Sequence, residues 1–395
     1  MFRLLFLATL GSAIGTYATT IALTADIDTR THSTWWVALL FVVTFMPRIF
    51  VGLFIGPLID RLSRKTLIVG SDLVRLAVFA ALPFANHPAT MIVLAAAAGI
   101  ADSFFRPAVL AGMPNLVETT ELDSATTLLQ GTEWLAAAIG PLIAGVLVSV
   151  SGAHVVYWMN AATFLFSALL LLRIPRRLLQ SDQGVSRGHW RDLREGFTAF
   201  RHSTPLRVAF YGFGLTMIAS GLVNVSEIFL ATRSLGSSPG FGFGLLWTGS
   251  GIGLVVGSIV TGVLLERHNV LGIYAYAFVP LTAGILGAAT APNIWVAAVA
   301  MTMTGFGNGL TFPMTILIVQ RYTTDRLRGR AFTVIISVHT ALLGLAQGTA
   351  GALTAGFGAR WTYVIAAMCT AGSAVVVMSL LRAGGQTRIP REVPV

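Results

Sequence analysis

The sequence predicts an all-α integral membrane protein in which twelve transmembrane helices form two pseudo-symmetric six-helix bundles. Three observations support this prediction: the composition, a series of apolar runs of spanning length, and an internal repeat. The 395 residues are 55% hydrophobic and 11% charged, and the mean hydropathy is +0.78. Because a soluble domain carries about 25% charged residues, this composition indicates a chain that lies in lipid.

Twelve apolar runs are long enough to cross a bilayer, since a helix needs about 20 apolar residues to cross about 30 Å of hydrocarbon. Each span must be helical, or part of a closed barrel, to satisfy its backbone hydrogen bonds in lipid. The runs show no alternation of period two, which excludes the barrel. They are residues 4–24, 35–56, 67–86, 89–112, 127–150, 154–173, 207–230, 243–264, 270–290, 293–318, 331–353 and 360–381.

A repeat relates the two halves of the chain. The segment "GPLIDR" at Gly56 resembles "GVLLER" at Gly262, an offset of 262 − 56 = 206 residues. The same offset takes Pro107 to Pro313. Six spans, a polar segment and six further spans therefore indicate a duplicated unit. Secondary transporters are often built this way, with the substrate site between the two halves near the midplane.

The spans divide the chain into three parts. Residues 1–174 form an N-terminal six-helix bundle, 175–206 a cytoplasmic linker, and 207–395 a C-terminal six-helix bundle with a short cytoplasmic tail. The linker contains "HWRDLREGFTAFRH", whose apolar residues recur on one helical face. This pattern predicts an amphipathic helix on the membrane surface, and a disordered linker is the alternative.

The distribution of basic residues predicts the orientation. With both termini cytoplasmic, 16 basic residues fall on the cytoplasmic side and 3, namely Arg30, Arg233 and Arg360, on the opposite side. This asymmetry follows the positive-inside rule and predicts a bacterial cytoplasmic (inner) membrane protein. The rule also accounts for the net charge of +10, so no nucleic-acid partner is expected.

Two motifs carry a resemblance to a known family. Residues 56–65 read GPLIDRLSRK and match G-x-x-x-D-R-x-G-R-[RK], except that Ser63 replaces a glycine. Residues 140–145 read GPLIAG and match G-P-x-x-G-G, except that Ala144 replaces a glycine. On these motifs the whole chain resembles the major facilitator superfamily. The second motif, with "ADSFFRPAVLAGMPNLV" and "LDSATTLL", further resembles its drug, macrolide and siderophore efflux branch of drug:proton antiporters.

The resemblance implies a secondary active transporter that works by alternating access. Its implied function is proton-coupled export of lipophilic or cationic small molecules or drugs. The alternative is a substrate-specific carrier or flippase for a siderophore, lysolipid or metabolite. Expected partners are a small-molecule substrate, protons and membrane lipids, with the protein acting as a monomer. The proton gradient supplies the energy, and no cofactor is expected.

An enzyme or ATP-driven pump is disfavoured by the motifs that the sequence lacks. It contains no HExxH and no phosphate-binding loop. Its single cysteine, Cys369, excludes a cysteine-based metal site and any disulfide within the chain. No metal site is expected.

The resemblance assigns roles to both motifs. In the family, the acid of the first motif engages the other half of the protein when the cytoplasmic side is closed. It therefore implies a conformational latch, with solvated loop charges as the alternative. The latch candidates are Gly56, Asp60, Arg61, Arg64 and Lys65, with Glu266 and Arg267 at the repeat position. The small residues of the fifth-helix motif, at Gly140, Pro141 and Gly145, suit close helix packing.

Ionisable residues within spans are functional hypotheses because they are costly in lipid. The first half contains six: Arg48, Asp72, Arg75, Asp102, Arg106 and Glu133. Asp72 and Arg75 share a helix face, as do Asp102 and Arg106, while Arg106 and Glu133 lie at matching depths on consecutive helices. The cluster is either a structural ion network or a proton relay, with Asp102 and Glu133 as the favoured carriers.

The second half has two titratable candidates. Glu227 lies near the outer end of the seventh span and is a proton site, a counter-charge for a cationic substrate, or a residue at the level of the lipid headgroups. His339 titrates in a useful range, although a lone histidine often serves as a hydrogen-bonding residue. Candidates for the substrate cavity, or else for helix packing, are Tyr17, Trp134, Met217, Asn224, Trp247, Phe306 and Asn308.

Overall fold

A computed structural model describes residues 1–50, 63–118, 121–179, 203–323 and 325–384. These residues form twelve long helices and no β-strand. In chain order the helices are α1 (Phe2–Thr31), α2 (Thr34–Phe50), α3 (Arg64–Ala81), α4 (Pro88–Gly112), α5 (Leu122–Ser151), α6 (Ala153–Leu172), α7 (Thr204–Phe229), α8 (Pro239–Leu265), α9 (Val270–Thr290), α10 (Ile294–Tyr322), α11 (Asp325–Phe357) and α12 (Ala359–Gly384). The predicted amphipathic linker helix, residues 189–202, lies outside the described residues.

Ten helices in the described part of the chain are long and apolar enough to cross a membrane. The other two long helices are α2, of which 17 residues are described, and α10. The apolar run of α10 is interrupted by glycines, threonines and Asn308. All twelve helices overlap the twelve predicted spans, and most helix ends lie within a few residues of the predicted ones.

The helices divide into two compact units. The first contains α1–α6 together with residues 237–248 at the start of α8, and the second contains α7, the rest of α8 and α9–α12. Close backbone packing explains why the start of α8 belongs to the first unit. A side chain at Gly244 would lie 2.7 Å from the carbonyl oxygen of Pro141, and one at Gly240 would lie 2.6 Å from Val148, both on α5.

The internal repeat is visible in helix packing. In the first unit, Gly99 of α4 lets the backbone of α2 approach at Thr44. In the second unit, Gly305 of α10 lets the backbone of α8 approach at Ser250. The two contacts are related by the offset of the repeat, since 99 + 206 = 305 and 44 + 206 = 250. Equivalent helices therefore cross at equivalent positions in the two units.

Candidate functional site

The core of the candidate site is Arg75, which lies in the middle of α3 and is 3% exposed. Its Nη2 atom lies 2.6 Å from Oδ1 of Asp72, one turn earlier on the same helix. Its Nη1 atom lies 3.1 Å from Oδ1 of Asp102 on α4. One guanidinium therefore bridges two carboxylates from two helices, and the predicted pairing of Asp72 with Arg75 is observed.

The guanidinium of Arg75 also lies over two aromatic rings. The Cζ atom lies 4.3 Å from the ring centroid of Phe105 on α4 and 4.4 Å from that of Phe164 on α6. A cation within about 6 Å of an aromatic face is attracted by the ring quadrupole. Three helices thus fix the orientation of this side chain.

The two carboxylates differ in their surroundings. Asp72 is fully buried, and its second oxygen accepts a 2.5 Å hydrogen bond from the hydroxyl of Ser167 on α6. The side chain of Asp102 is 22% exposed. Asp72 therefore anchors Arg75, whereas Asp102 borders accessible space.

A cavity within the first unit adjoins Arg75 and Asp102. It encloses about 610 Å³ of space between atoms, including its open side. One part of its wall is aromatic or aliphatic, and another consists of threonine hydroxyls. The lining residues are Thr16, Thr19, Thr20, Leu23, Thr24, Leu40, Phe41, Thr44, Phe45, Arg75, Phe79, Ala95, Ala98, Gly99, Asp102 and Phe164.

The remaining charged residues of the predicted cluster are held more loosely. Arg106 Nη1 lies 3.8 Å from Glu133 Oε2, and the two side chains are 54% and 24% exposed. The predicted approach of Arg106 and Glu133 is therefore observed, but as a long and half-exposed ion pair. The side chain of Arg48 lies outside the described part of the structure.

The titratable candidates of the second unit are buried in separate places. Glu227 is 2% exposed and lies within electrostatic range of Tyr363 on α12. His339 is also 2% exposed, and its Nε2 lies 2.9 Å from the carbonyl oxygen of Phe210. The ring of His339 also packs against Phe213, with centroids 5.0 Å apart.

The described residues of the latch candidates bind helix ends within the first unit. Lys65 Nζ donates to the carbonyl oxygens of Leu172 and Ile174, both at 2.7 Å. Arg64 donates to the carbonyl oxygen of Leu179 at 3.1 Å. Lys65 therefore caps the C-terminal end of α6, where the helix dipole favours positive charge, and Arg64 binds the segment that follows this helix.

Three other latch candidates, Gly56, Asp60 and Arg61, lie outside the described residues. Glu266 and Arg267 are exposed in the turn that follows α8.

The fifth-helix motif acts through close packing within the first unit. A side chain at Gly140 would lie 2.8 Å from Tyr17 of α1, and one at Gly145 would lie 3.2 Å from the carbonyl oxygen of Gly240. A side chain at Gly244 would lie 2.7 Å from the carbonyl oxygen of Pro141. Small residues at these positions let three helices meet, as the sequence predicts.

Two of the substrate-cavity candidates are neighbours. The rings of Tyr17 and Trp247 lie 6.4 Å apart in the first unit, and Trp247 also contacts Phe243 at 5.8 Å. Trp134 belongs to the same unit and is partly buried. The remaining candidates, all partly buried in the second unit, are Met217, Asn224, Phe306 and Asn308.

A charged cluster at the end of α1 was not singled out from the sequence. Arg30 Nε lies 2.6 Å from Oδ1 of Asp26, and Tyr157 of α6 donates a 2.9 Å hydrogen bond to the other oxygen of Asp26. Arg30 also donates to the carbonyl oxygen of Ala85 at 3.0 Å. The spacing of four residues between Asp26 and Arg30 was the available signal.

In the described residues no group of three or more metal-binding side chains is found.

Comparison with known proteins identifies the family. Residues 1–392 match the family described as transmembrane secretion effector. The chain belongs to this family of the major facilitator superfamily. Its relatives include the enterobactin exporter EntS of Citrobacter koseri, which is 28% identical over 96% of this chain and 90% of the relative. EntS of Salmonella typhi is 27% identical over 100% of this chain and 94% of the relative.

Solved structures with the same fold are also transporters. A bacterial homologue of the human lysosomal transporter Spinster has a TM-score of 0.78 at 11% identity, covering 97% of both chains. The nucleoside transporter NupG has a TM-score of 0.75 at 14% identity, covering 96% of this chain and 98% of its own. The predicted twelve-helix fold is confirmed. The family and its relatives also confirm a membrane transporter rather than an enzyme.

Proposed function

We propose that this transporter exports a siderophore-class small molecule in exchange for protons. The observation that carries the substrate class is the match to enterobactin exporters along 90% or more of their length. It favours the siderophore-specific alternative over general export of lipophilic drugs. Export by alternating access is proposed from the same relatives and from the fifth-helix motif.

The energy source in this proposal is the proton gradient, with no cofactor. Asp72, Arg75 and Asp102 carry one more acidic than basic side chain, and such an excess within a membrane suits a group that gains and loses a proton. Asp102 is the proposed carrier because it adjoins the cavity. Asp72 is the anchor, since Ser167 and Arg75 occupy both of its oxygens.

The proposed setting is the bacterial inner membrane, with both termini cytoplasmic and the protein working as a monomer. The positive-inside rule supports this orientation. The exported molecule leaves the cytoplasm while protons enter along their gradient.

Transport into proteoliposomes tests the proposal, with enterobactin and the cationic dye ethidium as probes. The lumen is made acidic. In transporter molecules whose predicted cytoplasmic face points away from the lumen, protons then leave the lumen as substrate enters it. We expect wild-type protein to accumulate enterobactin only when the pH gradient is present. We expect Asp102→Asn to lose this accumulation while it still exchanges enterobactin downhill, because the neutral amide carries no proton.

Glu133→Gln is the matched control, because its ion pair with Arg106 is long and half-exposed, and it is expected to transport like the wild type. Failure of the wild type to accumulate enterobactin would overturn the substrate class. Gradient-driven accumulation by Asp102→Asn at the wild-type level would overturn the assigned proton carrier.

A second candidate function is export of lipophilic cations. The observation that favours it is the aromatic cluster of Tyr17, Phe243 and Trp247, because aromatic faces attract cations. Accumulation of ethidium without accumulation of enterobactin would select this function.

A further inference from the structure

The cavity of the first unit has a continuous polar wall on α1. Thr16, Thr20 and Thr24 follow one another at intervals of four residues, so their side chains lie on the same helix face. All three line the cavity, as does Thr44 of α2. From Thr16 to Thr24 this wall extends about 12 Å along α1, at about 1.5 Å per residue.

The hydroxyls of this wall are arranged to accept hydrogen bonds. Each threonine already donates its proton to a backbone carbonyl one turn earlier: Thr16 to Ser12, Thr20 to Thr16, and Thr24 to Thr20, at 2.7–3.0 Å. Thr44 donates to Leu40 in the same way. A hydroxyl whose proton is used retains lone pairs that accept. The wall therefore selects an occupant that donates hydrogen bonds.

One further hydroxyl in the cavity, that of Thr19, has no hydrogen-bond partner among the described residues. Thr19 lines the same space and is 2% exposed. Buried polar atoms are normally satisfied by protein or by water. A water molecule takes about 30 Å³ in the liquid, so the cavity has room for several.

The cavity extends from the acidic site along α1 towards one end of that helix. Asp102 lies ten residues before the end of α4 at Gly112, and Thr16 and Thr24 lie 14 and 22 residues after the start of α1. Because these two helix ends are predicted to lie on the same side of the membrane, Asp102 is closer in depth to Thr16. Thr24 is seven residues, or about 10 Å, from the end of α1 at Thr31. That end is the one that the arginine distribution predicts to face outward.

The charged groups that ion pairs and helix spacing place beside Asp102, among the described residues, lie on α3 and α4. On α3 they are Arg75, at 3.1 Å, and Asp72 behind it, while the nearest charged residue along α4 is Arg106, one turn away and paired with Glu133. Among the described lining residues, α1, α2 and α6 contribute no charged side chain. Donor groups in this space therefore encounter one carboxylate and a row of neutral acceptors.

We propose that this cavity is a hydronium- and water-binding chamber that delivers protons from the outer side to Asp102 through the first unit alone. This inference rests on the proposed proton coupling and adds a route to it. The threonine oxygens accept hydrogen bonds from the water chain, and Asp102 receives the proton at its end. The described residues that line this cavity come from α1–α4 and α6.

Rapid-mixing infrared spectroscopy on the full chain tests the route without a transported substrate. The carboxyl C=O band of protonated Asp102 is assigned as the band that Asp102→Asn removes. After a jump to acidic pH, we expect this band to form about tenfold more slowly in Thr20→Val, which corresponds to one lost hydrogen bond of about 1.4 kcal/mol. Thr20→Ser keeps the hydroxyl and should restore the rate.

Thr9→Val is the matched control, because Thr9 lies on the same helix and makes the same type of bond, to Leu5 at 2.8 Å, but does not line the cavity. Its rate should equal that of the wild type. An unchanged rate in Thr20→Val would overturn the chamber. An absent Asp102 band in the wild type would instead overturn the assigned proton carrier, and the route with it.

Thiol labelling provides a second measurement, which does not depend on whether Thr20→Val folds. The single native cysteine is removed as Cys369→Ser, and Thr20→Cys or Thr9→Cys is introduced. We expect a small methanethiosulfonate reagent in the outer solution to modify the cysteine at position 20 and not the one at position 9. Equal protection of both positions would overturn the chamber.

Discussion

The two units carry charged and uncharged side chains, respectively, at three positions related by the repeat. The first unit has charged residues at these positions: Asp72, Arg75 and Asp102. Adding 206 to each number gives the corresponding residues of the second unit: Phe278, Leu281 and Asn308. Phe278 and Leu281 are fully buried, and Leu281 packs against the backbone of α10 at Gly307.

Equivalent helices are therefore held together in different ways in the two units. The first unit joins α3 and α4 through a bridging guanidinium, whereas the second joins the equivalent α9 and α10 through glycines that let the two backbones touch. Close packing of small residues is the usual source of helix association in lipid. The second unit therefore holds the equivalent helices with Phe278 and Leu281 in place of the buried ion pair, and the proposed proton coupling gives that pair in the first unit a role beyond packing.

The largest effect is expected from Arg75→Leu, which introduces the residue type of position 281. It leaves Asp72 fully buried without its cation, and removal of one partner from a buried ion pair costs about 3–5 kcal/mol. The measurement is the free energy of unfolding in detergent. Arg267→Leu is the control, because Arg267 is exposed in the turn that follows α8 and a surface charge of this kind contributes about 1 kcal/mol or less.

The double variant Asp72→Leu/Arg75→Leu sharpens the same test. Replacing both members of a buried ion pair by apolar residues is often neutral or stabilising, so we expect it to unfold at higher denaturant than Arg75→Leu alone. A double variant less stable than the single one would show that the network is needed for packing in the first unit.

A smaller effect is expected from alanine at the paired glycines. Alanine at Gly305 would overlap the backbone of Ser250, while alanine at Gly99 would lie 2.7 Å from the carbonyl oxygen of Thr44. Overpacking costs about 1–3 kcal/mol, so Gly305→Ala should destabilise more than Gly99→Ala. Gly262→Ala, which meets no atom within 4 Å, should be neutral or stabilising. The reverse order in thermal unfolding would contradict the proposed role of close packing in the second unit.

The smallest effect is expected from Lys65→Met. This variant removes the donor that caps α6 at Leu172 and Ile174 while it keeps the length of the side chain. Hydrogen bonds from a charged group are worth about 1.5–3 kcal/mol, and partial exposure places this loss at about 1.5 kcal/mol. Arg267→Met removes an exposed charge of the second unit and should leave the unfolding temperature unchanged. Equal stability of both variants would show that Lys65 does not brace the first unit.

The fold could be predicted from the sequence because lipid leaves few alternatives. Apolar runs must become helices, so the positions of charges and turns determine where spans begin and end. The repeat could be recognised from glycines and prolines at one offset. The structural pairs Gly99–Thr44 and Gly305–Ser250 show why such residues recur, since the backbone crossings require them.

The site could be predicted only in part. The pairing of Asp72 with Arg75 follows from helical spacing, but the bridge from Arg75 to Asp102 depends on how α3 and α4 pack. Ser167 and Tyr157 could not be recognised, since a lone hydroxyl in an apolar run gives no sign of its partner. The threonines of α1 were visible as residues, but their role depends on the cavity beside them.

The most direct test of the account counts protons released when the transported molecule binds. Purified protein in weakly buffered detergent is mixed with the probe that the proteoliposomes accumulate, and a pH indicator reports the release. We expect release from the wild type, Glu133→Gln and Glu227→Gln, and none from Asp102→Asn. Undiminished release from Asp102→Asn would contradict the claim that the charged first unit drives transport.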